Sequence, residues 1–225
     1  MEGMLLLSLD SSAGASAALT QDDTVLGLWH TEAGNTHAEV LAPAVQQIMA
    51  EAAVKGADVD GVVTGVGPGP FTGLRAGLAL AHSLAAAWGK PLHGVCSLDA
   101  LALRAVDAGV EGDFLAVTDA RRREVYWAHY TNDDGDSGLV EGPFVGPAEK
   151  CPDLPAVGAG VGLYPDQLTA VSEDSSQWMP HARELAKLAA GVLAGDLTGV
   201  LCEPRPLYLR EADAKVPAQM RRPSS

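Results

Sequence analysis

Met4-Leu5-Leu6-Leu7-Ser8-Leu9-Asp10-Ser11-Ser12 is the stretch whose reading decides the fold. An apolar run broken by one serine and ended by an aspartate reads as a buried strand entering a polar turn. Ala15–Leu19 and Val25–His30 follow as further strands of a meander. Leu41, Val45, Ile48, Met49 and Ala52 then recur at helical spacing, which predicts an amphipathic helix over about Ala38–Val54. Thr36-His37-Ala38-Glu39 precedes it as a capping box, with Thr36 as N-cap and Glu39 reaching back. Gly61–Val66 is the next expected strand, Gly67–Gly73 a glycine-proline loop, and Leu74–Trp88 a helix rich in small residues. Pro91–Val95 completes the series as a strand and Leu98–Val106 as a helix.

The second half begins the same way. Asp113–Thr118 is an expected strand, Asp119-Ala120-Arg121 a polar turn, and Glu124–Tyr130 a strand of alternating character. After a loop at Asn132–Gly138, weaker strands are expected near Leu139–Glu141 and Ala156–Gly158, and a helix near Ala182–Leu193. Asp10 and Asp119 occupy like positions, each closing a first strand before its hairpin. The order of strands and helices in the first half is that of the ribonuclease-H-like fold. Such halves in tandem predict an α/β protein of the actin-like (ASKHA) architecture, with mixed sheets flanked by helices. The expected division is a lobe over 1–108, a smaller lobe over 109–219 and a frayed tail at 220–225.

Composition narrows the function. The chain of 225 residues is 47% hydrophobic, and 15 basic against 29 acidic residues leave a net charge of −14. Nucleic-acid binders neutralise phosphates with clustered cations, and only Arg121-Arg122-Arg123 forms a cluster here. Any link to RNA is therefore expected to pass through a partner. Cys96, Cys151 and Cys202 match neither a disulfide framework nor zinc spacing, and read as small hydrophobes in a reducing compartment. No apolar stretch reaches the ~20 residues that span a bilayer, and no basic region precedes Met4 as in a signal peptide. A soluble cytoplasmic protein, without membrane contact, is expected.

The residues fail each catalytic reading in turn. A ribonuclease H needs several carboxylates around a metal pair; Asp10 is available, but Thr64-Gly65-Val66-Gly67 ends the fourth strand without one. An actin-like ATPase would grip phosphates with both hairpin turns. Asp10, Ser11 and Ser12, with Gly14, are passable for this, and with Asp119 they form a possible vestigial phosphate site. The second turn, however, carries arginines and no glycine, so its backbone is kept from a phosphate. Gly158-Ala159-Gly160-Val161-Gly162 is the sole candidate for an adenosine motif. The loop Gly67-Pro68-Gly69-Pro70-Phe71-Thr72-Gly73 matches neither the Walker nor the Rossmann spacing, and its prolines lack the N–H donors a phosphate cradle uses. It reads as a stiff loop presenting Phe71. Arg75 falls in the first turn of the expected helix, where a cation is disfavoured, and so calls for an acidic partner within this chain or on another subunit. A chelating pair at i and i+4 would need histidine at position 41, where the chain has Leu41 after His37.

Gly67-Pro68-Gly69-Pro70-Phe71-Thr72-Gly73-Leu74-Arg75 closely resembles the G-P-G-S-F-T-G-L-R signature of the TsaB (YeaZ) family, with Pro70 in place of serine. Leu9-Asp10-Ser11-Ser12, His37-Ala38-Glu39-Val40-Leu41, Val117-Thr118-Asp119-Ala120-Arg121 with Glu124-Val125-Tyr126, and Pro206-Leu207-Tyr208-Leu209-Arg210 are similar to that family too, in order along nearly the whole chain. The resemblance implies a non-catalytic paralogue of TsaD, the metal-binding subunit that transfers threonylcarbamoyl to tRNA adenosine. It implies pairing with TsaD, docking of the ATPase TsaE nearby, contact with tRNA only through the complex, and no cofactor or metal of its own. The pairing surface it implies lies on the first two helices, at His37, Val40, Leu41, Ala44, Leu74, Arg75 and Leu78, and an isolated chain is expected to form a homodimer through it. The rival readings are an actin-like ATP-dependent phosphotransferase, favoured by the first turn, and a metallopeptidase, disfavoured by Leu41.

Overall fold

Leu5, Leu7 and Leu9 leave one side of the first strand and Leu6 and Ser8 the other, and all five are buried. In the computed structural model, which describes residues 3–31, 37–133 and 136–210, this strand is β1 (Leu5–Asp10). It pairs antiparallel with β2 (Ala15–Gln21), which pairs with β3 (Thr24–Thr31). Helix α1 (His37–Glu51) leads to β4 (Gly61–Gly65), parallel to β1, and α2 (Phe71–Trp88) leads to β5 (Leu92–Val95), parallel to β4. Helix α3 (Ser97–Asp107) then enters the second sheet, built from β6 (Gly112–Asp119), β7 (Val125–Asp133), β8 (Asp136–Gly146), β9 (Pro155–Val157) and β10 (Thr169–Ala170). Between β9 and β10 stands the short helix α4 (Ala159–Leu163). The chain closes with α5 (Ala182–Ala194) and β11 (Leu201–Cys202).

The first sheet runs β11-β5-β4-β1-β2-β3 and the second β10-β9-β6-β7-β8. In each, the opening strand has its hairpin partner on one side and a parallel strand on the other: β2 and β4 flank β1, and β7 and β9 flank β6. This repeat is the actin-like architecture that the sequence predicts. The faces of β1 explain the layering. Leu5, Leu7 and Leu9 pack with Leu41, Val45 and Ile48 of α1 and Ala81 and Ala85 of α2. Leu6 packs on the opposite face with Val63, Val95, Leu185 and Leu188. Ser8 is not a break in this scheme. Its Oγ donates to the Ala182 carbonyl (2.6 Å), and the orphan Ala182 amide donates to Ser16 Oγ (2.9 Å), so strand hydroxyls fix the start of α5 on the sheet.

Thus α5 and β11, which follow the whole second sheet in the chain, pack on the first; β11 pairs antiparallel with β5. Helix α3 lies between the sheets. Leu98, Leu101 and Ala105 meet Phe114, Ala116 and Tyr130, while Ala100 and Leu103 meet α5. Here the Tyr130 hydroxyl donates to the Asp99 carboxylate (2.7 Å), and burial pushes the Asp99 pKa from 3.8 up to about 6.

Three local expectations are corrected. The loop expected at Asn132–Gly138 is mostly strand: Asn132 pairs with Ser137 and Asp133 with Asp136, so the ladder overrides weak propensity. Helix α2 begins at Phe71, not Leu74, with extended Pro70 before it, which moves Arg75 past the first turn. Cys96 and Cys151 are half-buried, but Cys202 is exposed, and all three are free thiols. The capping box at Thr36–Glu39 and the tail at 220–225 lie outside the described residues, as do the side chains of His37, Ala38 and Glu39.

Candidate functional site

At the end of β1 the Asp10 side chain is 2% exposed. Its Oδ1 accepts from the Ser12 amide (2.8 Å) and hydroxyl (2.7 Å), closing an Asx-type turn. Its Oδ2 accepts from Ser97 Oγ (2.6 Å) at the start of α3. The Ser97 amide in turn donates to the Gly67 carbonyl (2.8 Å), and Ser97 Oγ accepts from the Gly67 amide (3.2 Å). One carboxylate thus ties together the first turn, the 67–73 loop and the helix between the sheets.

The same loop fills the turn. Ser11 Oγ donates to the Gly73 carbonyl (2.9 Å). A Cβ on Gly69 would stand 2.5 Å from the Ser12 carbonyl oxygen and 2.8 Å from Ser12 Cα, and one on Gly77 would strike Ser11 Oγ. Gly67, at φ +94°, is in a conformation that favours glycine. Gly67, Pro68 and Gly69 are buried, and Ser11 and Ser12 retain 1% and 3% exposure. The turn that would face a phosphate faces its own chain instead.

The second turn is built differently. Asp119, a quarter exposed, accepts from the Arg121 amide (2.7 Å) and pairs with the Arg121 guanidinium (3.1 Å). Arg121, Arg122 and Arg123 all take left-handed backbone, at φ 61°, 57° and 65°. That conformation is uncommon for residues with a Cβ, and the turn is braced from outside: Arg210 donates to the Ala120 carbonyl (3.0 Å) and pairs with Glu124. The candidate adenosine motif is spent on packing. Gly158, at φ +111°, has no room for a Cβ beside the Val117 carbonyl, and a Cβ on Gly160 would lie 2.6 Å from Val117 Cγ1. Among the described residues no group of three His, Cys, Asp or Glu side chains is gathered to hold a metal ion.

The residues expected on the pairing surface divide sharply. Leu41 and Leu74 are 0% exposed, and Ala44 and Leu78 are 3% and 4%. They belong to this chain's own core. Val40 is half-buried against the same core. Arg75 and Thr72 are exposed, and Phe71 is half-buried. The outer faces consist instead of Pro43, Gln46, Gln47 and Ala50 on α1, and of Thr72, Arg75, Ala79, His82, Ser83 and Ala86 on α2. The small residues Gly77, Ala81 and Ala85 pack inward, whereas Ala79 faces out.

Beside α2 runs a strap that site reasoning from sequence misses, although Pro206–Arg210 was among the segments carrying the resemblance. The Leu207 amide donates to the Val66 carbonyl (2.8 Å), and its side chain packs on Val66, Leu74 and Leu78. His82 Nε2 lies 2.8 Å from the Pro204 carbonyl. Tyr208 packs against Phe71, with ring centroids 4.6 Å apart and planes tilted by 33°.

The sheets and the filled turn define an actin-like protein in which the loop after the fourth strand occupies the first phosphate-type turn. The family model for TsaD, tRNA N6-adenosine threonylcarbamoyltransferase, matches residues 16–155. An uncharacterized protein of Mycobacterium tuberculosis is 41% identical over 214 residues, covering 93% of each chain. The tRNA threonylcarbamoyladenosine biosynthesis protein TsaB of Escherichia coli is 30% identical over 224 residues, covering 92% of this chain and 95% of its own. YeaZ from Pseudomonas aeruginosa superposes with a TM-score of 0.77 at 32% identity, over 92% of this chain and 100% of its own. The chain belongs to the TsaB (YeaZ) family of tRNA threonylcarbamoyladenosine biosynthesis proteins.

Proposed function

We propose that this chain is a non-catalytic subunit of the tRNA threonylcarbamoyl transferase machinery, acting in the cytoplasm by binding its catalytic sister TsaD, with TsaE docking near their junction. The observation that carries the reading is the filled first turn: Ser11 and Ser12 are held against Gly69, Gly73 and Gly77. A phosphate would have to displace a buried loop tied to Asp10 and Ser97. Leu41, in place of a second chelating histidine, lies in the hydrophobic core. With phosphate and metal chemistry unsupported, recognition is the task left to the surface, and tRNA is reached only through the complex.

The outer faces of α1 and α2 are the proposed pairing surface, which in the isolated chain also supports a homodimer. His37, at the start of α1, keeps its place in that proposal. We also propose a division into lobes over 1–108 and 109–219, with α5 and β11 from the second span packing back on the first sheet. The test is reconstitution. Purified TsaD, TsaE and the adenylate-forming enzyme should modify tRNA when this chain is added, and the chain alone should consume no ATP. Equal modification without the chain refutes the proposal.

A further inference from the structure

We propose that Phe71, Arg75 and Tyr208 form a preset clamp for a carboxylate side chain on the protein that covers the outer face of α2; this rests on the pairing surface proposed above. Arg75 is exposed, yet its side chain is already positioned. Its Nε donates to the Tyr208 hydroxyl (2.6 Å), and its guanidinium carbon lies 5.5 Å from the centroids of both the Phe71 and the Tyr208 rings. The rings pack on each other, tilted, at 4.6 Å, and Tyr208 is held by Leu207, which is anchored on Val66 and α2. The rotamer freedom an arginine loses on binding is thus largely lost beforehand.

Among the described residues, the clamp has no anion. Arg121, Arg183, Arg205 and Arg210 sit on Asp119, Glu184, Glu203 and Glu124 respectively. Among the described residues no carboxylate pairs with Arg75, in a chain with 29 acidic residues. With Nε engaged, the two terminal nitrogens remain as a fork, the geometry that grips a carboxylate bidentately. Ala76 and Ala79 on the same stretch of α2 are small enough for a partner's backbone to come close.

A protein carboxylate fits better than a nucleic-acid backbone. Phosphate backbones are held by several cations together. Here the neighbouring Arg205 is tied to Glu203, and His82 is tied to the Pro204 carbonyl. One fixed cation on a strongly acidic protein suits a single acidic side chain.

The test is titration calorimetry of the chain with purified TsaD from the same organism, using wild type, Arg75→Lys, Arg75→Ala, Tyr208→Phe and, as control, Lys150→Ala. Thermal melts confirm that each variant is folded. Arg75→Ala should weaken binding about 30-fold or more, as for loss of a desolvated ion pair. Arg75→Lys should weaken it about 10-fold, because the charge stays and the fork goes. Tyr208→Phe should cost a few-fold, Lys150→Ala nothing, and exchanging Arg75→Glu with an acid-to-arginine change on TsaD should restore affinity. Wild-type binding with both Arg75 variants within about twofold of it overturns the clamp and leaves the pairing standing. No binding by wild type overturns the pairing itself. Equal weakening of the chain's direct binding to tRNA would assign Arg75 to a phosphate, and loss of self-association alone would assign it to a second copy; either result overturns the proposal.

Discussion

Asp10 should be a structural keystone, and replacing it measures how firmly the first turn is closed. Asp10→Ala removes an acceptor that takes bonds from the Ser12 amide, the Ser12 hydroxyl and Ser97 Oγ at 2.8, 2.7 and 2.6 Å, with the site 2% exposed. Bonds to a charged acceptor contribute about 1.5–3 kcal/mol each. The hydroxyls can turn to other acceptors, but the amide cannot, and removing the carboxylate relieves its own desolvation. The expected net loss is about 3–4 kcal/mol, or roughly 10 °C in Tm for a chain of this size. Asp10→Asn keeps Oδ1 for Ser12 but sets an NH2 against Ser97 Oγ, which already accepts from the Gly67 amide at 3.2 Å. About half the loss is expected there. Urea unfolding of the isolated chain, followed by far-UV circular dichroism, gives both values. An Asp10→Ala chain within about 1 kcal/mol of wild type would refute the keystone role, since that is no more than one ordinary hydrogen bond.

Leu41→Asp should abolish folding rather than pairing, because Leu41 is 0% exposed in the core beneath α1; the loss exceeds about 4 kcal/mol, and a soluble variant with the wild-type circular dichroism spectrum would contradict the packing described. Asp99 should make stability fall as pH rises: burial lifts its pKa from 3.8 to about 6, so between those values the native state holds more protons than the unfolded one. The stability of wild type minus that of Asp99→Asn should therefore decline from about pH 4 to about pH 7, and a flat difference over that range would remove Asp99 as its source.

Periodicity reaches far in this chain where a segment is long and its faces differ. Leu5 to Leu9 and Leu41 to Met49 are such segments, and their elements stand within a few residues of where the pattern puts them. The short pieces, α4, β10 and β11, escape because a few residues carry no period and are made by their neighbours. For the site, the glycines of the 67–73 loop mark a place of close approach, but not what approaches. That the approaching group is the Ser12 backbone could be known only from the packing of α2 against the first turn. The same limit explains Leu41, Leu74 and Leu78. A signature residue looks like a contact residue in one dimension, whereas each of the two helices has one inward stripe, occupied by Leu41 on α1 and by Leu74 and Leu78 on α2. Tyr208 joins Phe71 across more than a hundred residues, which no local pattern reports.

The return of α5 and β11 to the first sheet sets a condition on how the chain matures. While a ribosome is still making the middle of the protein, Leu6, Val63 and Val95 have no Leu185 or Leu188 to lie against, and the first sheet is open on one side. The leading half alone therefore lacks part of the cover its own sheet uses in the native fold. The first sheet gains its second cover only when α5 and β11, which lie within the last 29 described residues, have been made, and until then that apolar surface is open to unwanted contacts.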